Sequence, residues 1–320
     1  MKLSEEIFKA LRCPKCMAIL KSEDALLVCS NNDCKKIFPV INNIPVLINE
    51  ENSVFRISDF TEMRETYFKT TIVNKNPIKK AIVAFIPSIG KNIKAQENYS
   101  NFARKLLSYS SNPKVLILGG SIIGEGMEPL IENPSIILYE SDISFGPRTQ
   151  FILDSHNIPF TNEYFDGVVV QAVLEHVLDP FRCVQEIYRV LKKDGLVYAE
   201  TPFMQQVHGG RYDFHRFTHL GHRRLFRNFS EIESGAVCGP GMALAWSYKY
   251  FIKSFFSSKK TRIPLYPIIH LTSFFLKYFD YYLINKPGTL DAASAYYFCG
   301  QKSDFPLEDS ELLKLYKGIM

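Results

Sequence analysis

The stretch Phe165-Asp-Gly-Val-Val-Val-Gln171-Ala-Val-Leu-Glu175-His176-Val-Leu-Asp179-Pro180-Phe-Arg-Cys-Val-Gln-Glu-Ile-Tyr-Arg-Val-Leu191-Lys-Lys-Asp-Gly195-Leu-Val-Tyr-Ala199 decides the fold. Gly167 to Val170 is an apolar run, which predicts a strand buried on both faces. Asp179 then suits a helix cap and Pro180 its first turn. Phe181, Val184, Ile187, Tyr188 and Leu191 form one apolar stripe at helical spacing. Lys192 and Lys193 favour the negative end of that helix, and Gly195 suits its stop. Leu196 to Ala199 returns to an apolar strand. A strand, a helix and a strand in this order predict parallel neighbours in an α/β sheet.

The same pattern extends outward. Val115 to Leu118 is a strand ending in Gly119-Gly120-Ser121, with Gly124 and Gly126 shortly after. Ile136 to Tyr139 ends at Glu140-Ser-Asp142, and Phe151 to Leu153 ends at Asp154. Ile232 to Val237 and Ala295 to Cys299 supply a sixth and a seventh strand. The expectation is a doubly wound, mainly parallel, seven-stranded sheet. A glycine-rich turn after the first strand lets backbone approach a ligand, or serves only as a tight turn. An acidic residue about 20 positions later is placed to take both hydroxyls of a ribose. A dinucleotide oxidoreductase is disfavoured, because Gly119 and Gly124 do not complete a G-x-G-x-x-G fingerprint.

Taken together, Asp154-Ser-His-Asn-Ile-Pro-Phe, Phe165-Asp-Gly-Val, Leu174-Glu175-His176-Val and Glu186 through Gly195 resemble a class I S-adenosylmethionine-dependent methyltransferase. The resemblance spans about residues 95–203. It implies a Rossmann-like methyltransferase fold that binds S-adenosylmethionine. By it, Gly119, Gly120 and Ser121 face the methionine part, Asp142 holds the ribose, Asp154 meets the adenine amine, and Gln171 lies beside the cofactor. Two departures stand out. Ile117 occupies a place that is usually acidic, with Ser121 in place of a glycine, and the usual helix between the second and third strands has no room between Asp142 and Phe151.

Near the start, Cys13-Pro-Lys-Cys16 and Cys29-Ser-Asn-Asn-Asp-Cys34 form two close thiol pairs. Two such pairs are the ligand set of a closed tetrahedral zinc site; unconnected core cysteines, or a redox pair at Cys13 and Cys16, are the alternatives. Ala25 to Val28, Lys36 to Val40 and Ile44 to Ile48 read as strands, with a tight turn at Asn42-Asn43. Residues 8–50 resemble the small zinc-ribbon activator subunit of tRNA and protein methyltransferases. Structural zinc, rather than catalytic metal, is what that resemblance implies.

After the fifth strand, Gln205 to His222 holds four of the seven histidines, at the sheet edge where a methyl acceptor would sit. His208, Asp213 and His215 are the candidates for a base or orienting group, and Arg211 or Arg216 for holding an anion. His215 and His219, one helical turn apart, would permit a metal; loop-capping hydrogen bonds are the plainer alternative. Between the sixth and seventh strands, residues 242–290 are a helical insertion. Residues 246–282 mix aromatics with Lys249, Lys253, Lys259, Lys260 and Arg262. That suits a lid over the acceptor pocket, and also peripheral contact with an anionic membrane.

The chain has 320 residues, 46% hydrophobic and 22% charged, with 38 basic against 33 acidic side chains. A formal +5 is too mild and dispersed to identify a nucleic-acid binder. Glu5 and Glu6 stand where a secretory signal would be basic and apolar. Ile263 to Leu276 is broken by Pro264 and Pro267, short of the roughly 20 apolar residues of a spanning helix. These features predict a cytoplasmic enzyme, with a peripheral position at the inner face of the membrane in view. The expected organisation is a zinc ribbon at 1–50, a connector at 51–92, a methyltransferase domain at 93–303 and a tail at 304–320. The expected activity is methyl transfer to a small or lipid-linked acceptor. The alternatives are an RNA methyltransferase and a non-catalytic partner protein of the same fold.

Overall fold

In a computed structural model the described residues are 5–66 and 86–319, less the Lys259 side chain. Part of the connector expected at 51–92, residues 67–85, lies outside them, as do residues 1–4 and 320. Among the described residues eleven strands follow one hydrogen-bonded order, β1-β2-β3-β4-β7-β6-β5-β8-β9-β11-β10. The first four are β1 (Leu20–Glu23), β2 (Leu26–Cys29), β3 (Ile37–Ile41) and β4 (Ile44–Leu47). Next come β5 (Lys114–Leu118), β6 (Ile137–Asp142), β7 (Phe151–Leu153), β8 (Phe165–Gln171) and β9 (Leu191–Pro202). β10 (Phe229–Cys238) and β11 (Ala295–Lys302) complete the sheet. β7, β6, β5, β8 and β9 are parallel, while β11 runs antiparallel between β9 and β10. The architecture is Rossmann-like, and the sheet is larger than the seven strands expected, because the N-terminal strands extend it.

Alternation along the central strands fills two separate cores. Leu116, Leu118, Val168 and Val170 point to one face, packed with Val184 and Ile187 of the helix α2 (Pro180–Val190). Val115, Ile117 and Val169 point to the other, where Tyr99, Phe102 and Leu106 of the helix α1 (Ala95–Tyr109) cover them. Tyr109, the last residue of that helix, is 63% exposed.

The Asp179 side chain caps α2 by accepting from the Arg182 N–H at 3.0 Å. The helix stops at Val190, five residues before Gly195, and Leu191 already pairs with Phe165. Lys192 does not sit at the helix dipole; its ammonium meets Asp166 at 2.7 Å. Asp194, at φ +62°, makes the left-handed step expected of Gly195.

The N-terminal ribbon is built into the sheet and not attached as a separate bead. Asn42 and Asn43 both take positive φ, 51° and 65°, as a two-residue hairpin turn requires. β4 then pairs in parallel with β7, Val46 opposite Ile152 and Leu47 opposite Leu153. Cys13, Leu20, Leu27 and Phe38 share one core with Phe151 and Phe160. The Arg12 N–H donates to the Pro159 carbonyl and the Thr161 N–H to the Ala10 carbonyl, both at 2.9 Å.

The insertion is helical, as expected. It comprises α4 (Pro240–Ser254) and α5 (Leu265–Ser273), with shorter turns between and after them; α3 (His219–Leu225) precedes β10. The fully buried Asp280 carboxylate accepts from the N–H groups of Gly241 at 2.7 Å and Met242 at 2.8 Å. That carboxylate at the start of α4 ties the first helix of the insertion to its later turns.

Candidate active site

A cavity of about 390 Å³ opens at the carboxyl ends of β5, β6, β8 and β9, the edge where open α/β sheets place ligands. Gly119, Asp142, Asp154 and Gln171, all read from the sequence, line it. Gly119 has φ +77°, and a Cβ there would stand 2.5 Å from Val173 Cγ2, so no other residue fits without strain. Gly120 and Ser121, expected beside the cofactor, lie behind that wall. Gly120 faces Ile117 and Glu140, and Ser121 is 2% exposed.

Asp142 is buried, and its carboxylate accepts from the N–H groups of Ser144 at 2.9 Å and Ser121 at 3.2 Å. Burial pushes its pKa up against those hydrogen bonds. Asp154 is equally buried, and burial would raise it too. The His156 ring at 2.5 Å and the Ser53 hydroxyl at 2.5 Å instead hold it below the ordinary carboxylate range. His156 Nε2 accepts from the Asp179 N–H, which leaves the proton on Nδ1, facing Asp154.

Glu200, at the end of β9, escaped the sequence reading as a site residue. It is fully desolvated, and burial pushes its pKa up to about 7. The Tyr198 hydroxyl at 2.6 Å and the Gln171 amide at 2.7 Å donate to it and limit the rise. The amide of Asn92 donates to the same carboxylate at 3.2 Å.

The histidine-rich loop divides. His208 lines the cavity with Glu175, His176, Tyr212 and Phe214. Asp213 does not line it. Its carboxylate accepts from the N–H groups of His208 at 2.7 Å and Gly209 at 2.9 Å, and Arg216 meets it at 2.6 Å. Those partners hold its pKa far below the carboxylate range despite partial burial, so it is a clasp and not a base. Arg216 is committed to that clasp and to the Gln205 carbonyl, so it lacks the free anion-holding role expected, while the exposed Arg211 lies over the Tyr212 ring. His215 also stands off the cavity, with Nε2 3.2 Å from the Leu178 carbonyl. His219 turns to the Ser234 hydroxyl at 3.1 Å, so the expected His215–His219 metal pair does not form. His222 is buried against Phe226, and burial lowers its pKa to about 3.

In the ribbon, Cys13 and Cys34 sulfurs lie 3.8 Å apart and those of Cys16 and Cys29 3.4 Å apart. The ligand atoms of all four cysteines fall within 4.8 Å of one another. Four thiolates about 2.3 Å from a tetrahedral ion would be about 3.8 Å apart, so the set fits one zinc.

Among protein families, the model described as "Methyltransferase domain" matches residues 142–199, from the end of β6 through β9. The chain carries an S-adenosylmethionine-dependent methyltransferase domain. No curated protein matches the chain. Among solved structures, the methyltransferase domain resembles a Galdieria sulphuraria protein described as a sarcosine dimethylglycine methyltransferase. The identity is 14%, the coverage 78% of this chain and 98% of that one, and the TM-score 0.43. Phosphoethanolamine N-methyltransferase 2 of Haemonchus contortus, solved with phosphomonomethylethanolamine and S-adenosylhomocysteine, is also similar. It shares 14% identity over 64% of this chain and 53% of that one, with a TM-score of 0.40. At these scores the likenesses say nothing of chemistry.

Proposed function

We propose that the protein transfers a methyl group from S-adenosylmethionine to a small or lipid-linked acceptor held beneath the helical insertion. One observation carries this reading: the buried Asp142 carboxylate and the Gly119 turn line the same cavity as Glu200, His208 and Met242 of α4. The donor set fits the cofactor. Asp142 is placed for the ribose hydroxyls, Asp154 for the adenine amine, and Ile122, Ile143 and Leu153 supply apolar walls. Bound there, S-adenosylmethionine supplies an electrophilic methyl group. The chain's own part is to exclude water, orient the acceptor and take up its proton. Glu200, poised near neutrality, is the group best placed for that proton. Zinc in the ribbon is proposed as structural, since four thiolates close its shell.

The insertion exposes Phe251, Phe255, Ile263, Leu271, Phe275 and Tyr282, the last at 72%. With Lys253, Lys260 and Arg262 nearby, that surface is proposed to rest on an anionic bilayer and to favour a lipid-linked acceptor over RNA. No described helix is long and apolar enough to cross a membrane.

Calorimetry with S-adenosylmethionine tests the cofactor site. Asp142→Ala is expected to weaken binding about ten- to a hundredfold, the loss of charge-assisted hydrogen bonds of about 1.5–3 kcal/mol. Binding equal to the wild type would remove Asp142 from the site, and no binding in the wild type would leave only a scaffold.

A further inference from the structure

The last residues of the β8 turn and the start of the histidine-rich loop bring Glu175, His176 and His208 together in the cavity wall. Glu175 Oε1 stands 3.6 Å from His176 Nε2 and 3.6 Å from His208 Nε2. These distances are too long for hydrogen bonds. Glu175 is 0% exposed, and neither carboxylate oxygen has a hydrogen-bond partner among the described residues. Leaving a buried carboxylate so placed is costly unless a cation completes it.

Both imidazoles are set the same way. His176 Nδ1 lies 2.8 Å from the Tyr212 carbonyl, and His208 Nδ1 lies 3.2 Å from the Gln206 carbonyl. A carbonyl only accepts, so His176 places its proton on Nδ1. At His208 the nearer Gln206 carbonyl, joined by Asp213 Oδ2 at 3.7 Å, outweighs Arg216 Nη2 at 3.5 Å, and both rings turn an unprotonated Nε2 toward Glu175. Two nitrogen lone pairs and a carboxylate therefore face one small space. One proton can bridge only one pair; a divalent ion satisfies all three. Ring orientation by a backbone carbonyl is the usual support of a metal-bound histidine.

The loop is also tied down around this point. The backbone carbonyl of Glu175 accepts from the N–H groups of Phe214 at 2.8 Å and His215 at 3.1 Å. The Asp213 clasp fixes the backbone of His208 and Gly209. Gly209 itself lies against His176: a Cβ there would be 2.5 Å from Cε1 and 2.6 Å from Nδ1.

We propose that Glu175, His176 and His208 bind one divalent transition-metal ion, distinct from the ribbon's, with open coordination positions facing the cavity. Two imidazoles and one carboxylate favour zinc, cobalt, manganese or iron(II) over magnesium or calcium. The site stands on its own geometry. Its use rests on the methyltransferase reading: an acceptor oxygen would complete the shell, and an acceptor hydroxyl so bound would give up its proton to Glu200 more readily.

The test uses the full chain with its ribbon already loaded with zinc, titrated with Co²⁺ and followed by dialysis, metal analysis and visible spectroscopy. The expected result is one further equivalent, with a cobalt spectrum of nitrogen and oxygen ligands and no thiolate band. His208→Ala and Glu175→Gln should each abolish that equivalent at micromolar cobalt. Gly209→Ala and Asp213→Asn, which displace the ligands without removing them, should weaken it by about 10–100-fold. Melting curves identify any variant that fails to fold, and the loop residue His208 together with Gly209 then decide. The proposal is overturned if zinc-loaded wild type takes no second equivalent, or if His208→Ala keeps it. If cobalt binds but S-adenosylmethionine does not, the metal site stands and the methyltransferase reading fails.

Discussion

At the scale of single residues, what could be read from the sequence was what local context determines. Gly119, Asp142, Asp154 and Gln171 stand at strand ends, and strand ends of a parallel sheet converge on one edge; the strand pattern offered Gly119 and Asp142, while Asp154 and Gln171 came from the family resemblance. Glu200 also lies near the end of a strand, but its importance arises from Tyr198 of its own strand, Gln171 of β8 and Asn92 of the segment before α1 meeting on one carboxylate. No spacing announces that. Asp213 shows the opposite failure. A carboxylate among histidines reads as a base, and only the fold reveals the two N–H groups and the arginine that keep it ionised and occupied. The Glu200 environment has a measurable consequence. Its folded pKa of about 7 stands above the ordinary 4.5, so its stabilising contribution is full below pH 4.5 and is lost as pH rises through 7. The shift corresponds to about 3 kcal/mol. In Glu200→Gln the amide cannot accept from every present donor, so absolute stability falls for a separate reason; the pH slope is the informative quantity. Urea unfolding from pH 4.5 to 8 should show wild type losing about 3 kcal/mol relative to the variant. Parallel slopes would show that Glu200 is ionised throughout.

At the scale of elements, helices and strands were legible where amphipathic period and capping agreed, and less so where they did not. α2 was marked at its start by Asp179 and Pro180, which the structure keeps. Its end was misplaced because the Lys-Lys-Asp-Gly run resembles a helix stop, whereas Leu191 already joins the sheet and Asp194 makes the turn. The insertion was recognisable as helical, though not how it is held, since the buried Asp280 cap comes from 38 and 39 residues beyond the N–H groups it accepts from. Its outer surface supports a prediction of its own. Lys249 is half-buried over Trp246, and burial lowers its pKa to about 8, so part of the basic character faces inward. The outward aromatics then have to carry membrane contact, with the remaining basic residues adding about 1 kcal/mol each near an anionic surface. Sedimentation with vesicles containing phosphatidylserine should retain the wild type, and a Phe251→Ser, Phe255→Ser double variant should bind at least about tenfold less. Equal recovery of both in the pellet, or of neither, would reduce the insertion to a lid.

At the scale of the whole molecule, the four cysteines read from the sequence as a self-contained knuckle, and nothing in their spacing reveals that β4 would add to the edge of the main sheet. The reason is combinatorial: a parallel pairing between Val46 and Ile152 joins residues over a hundred positions apart. The ribbon and the methyltransferase core consequently share buried surface through Phe38, Phe151 and Phe160. Just past β4, Ser53 donates to Asp154, the residue proposed to meet the adenine. An independent ribbon would melt by itself when its zinc is removed and leave cofactor binding untouched. A ribbon built into the sheet edge behaves otherwise: zinc binding energy is folding energy for whatever cooperates with it. Stripping zinc with a chelator, or Cys16→Ser, should therefore lower the melting temperature of the whole chain by about 10 °C or more in one transition, and weaken S-adenosylmethionine binding as well. Differential scanning calorimetry with and without chelator, followed by titration of the cofactor, checks both halves. A core transition that stays in place after the metal is gone would show that the β4–β7 pairing contributes little. An unchanged cofactor affinity would show that the Ser53 contact to Asp154 does not transmit the ribbon's state to the site.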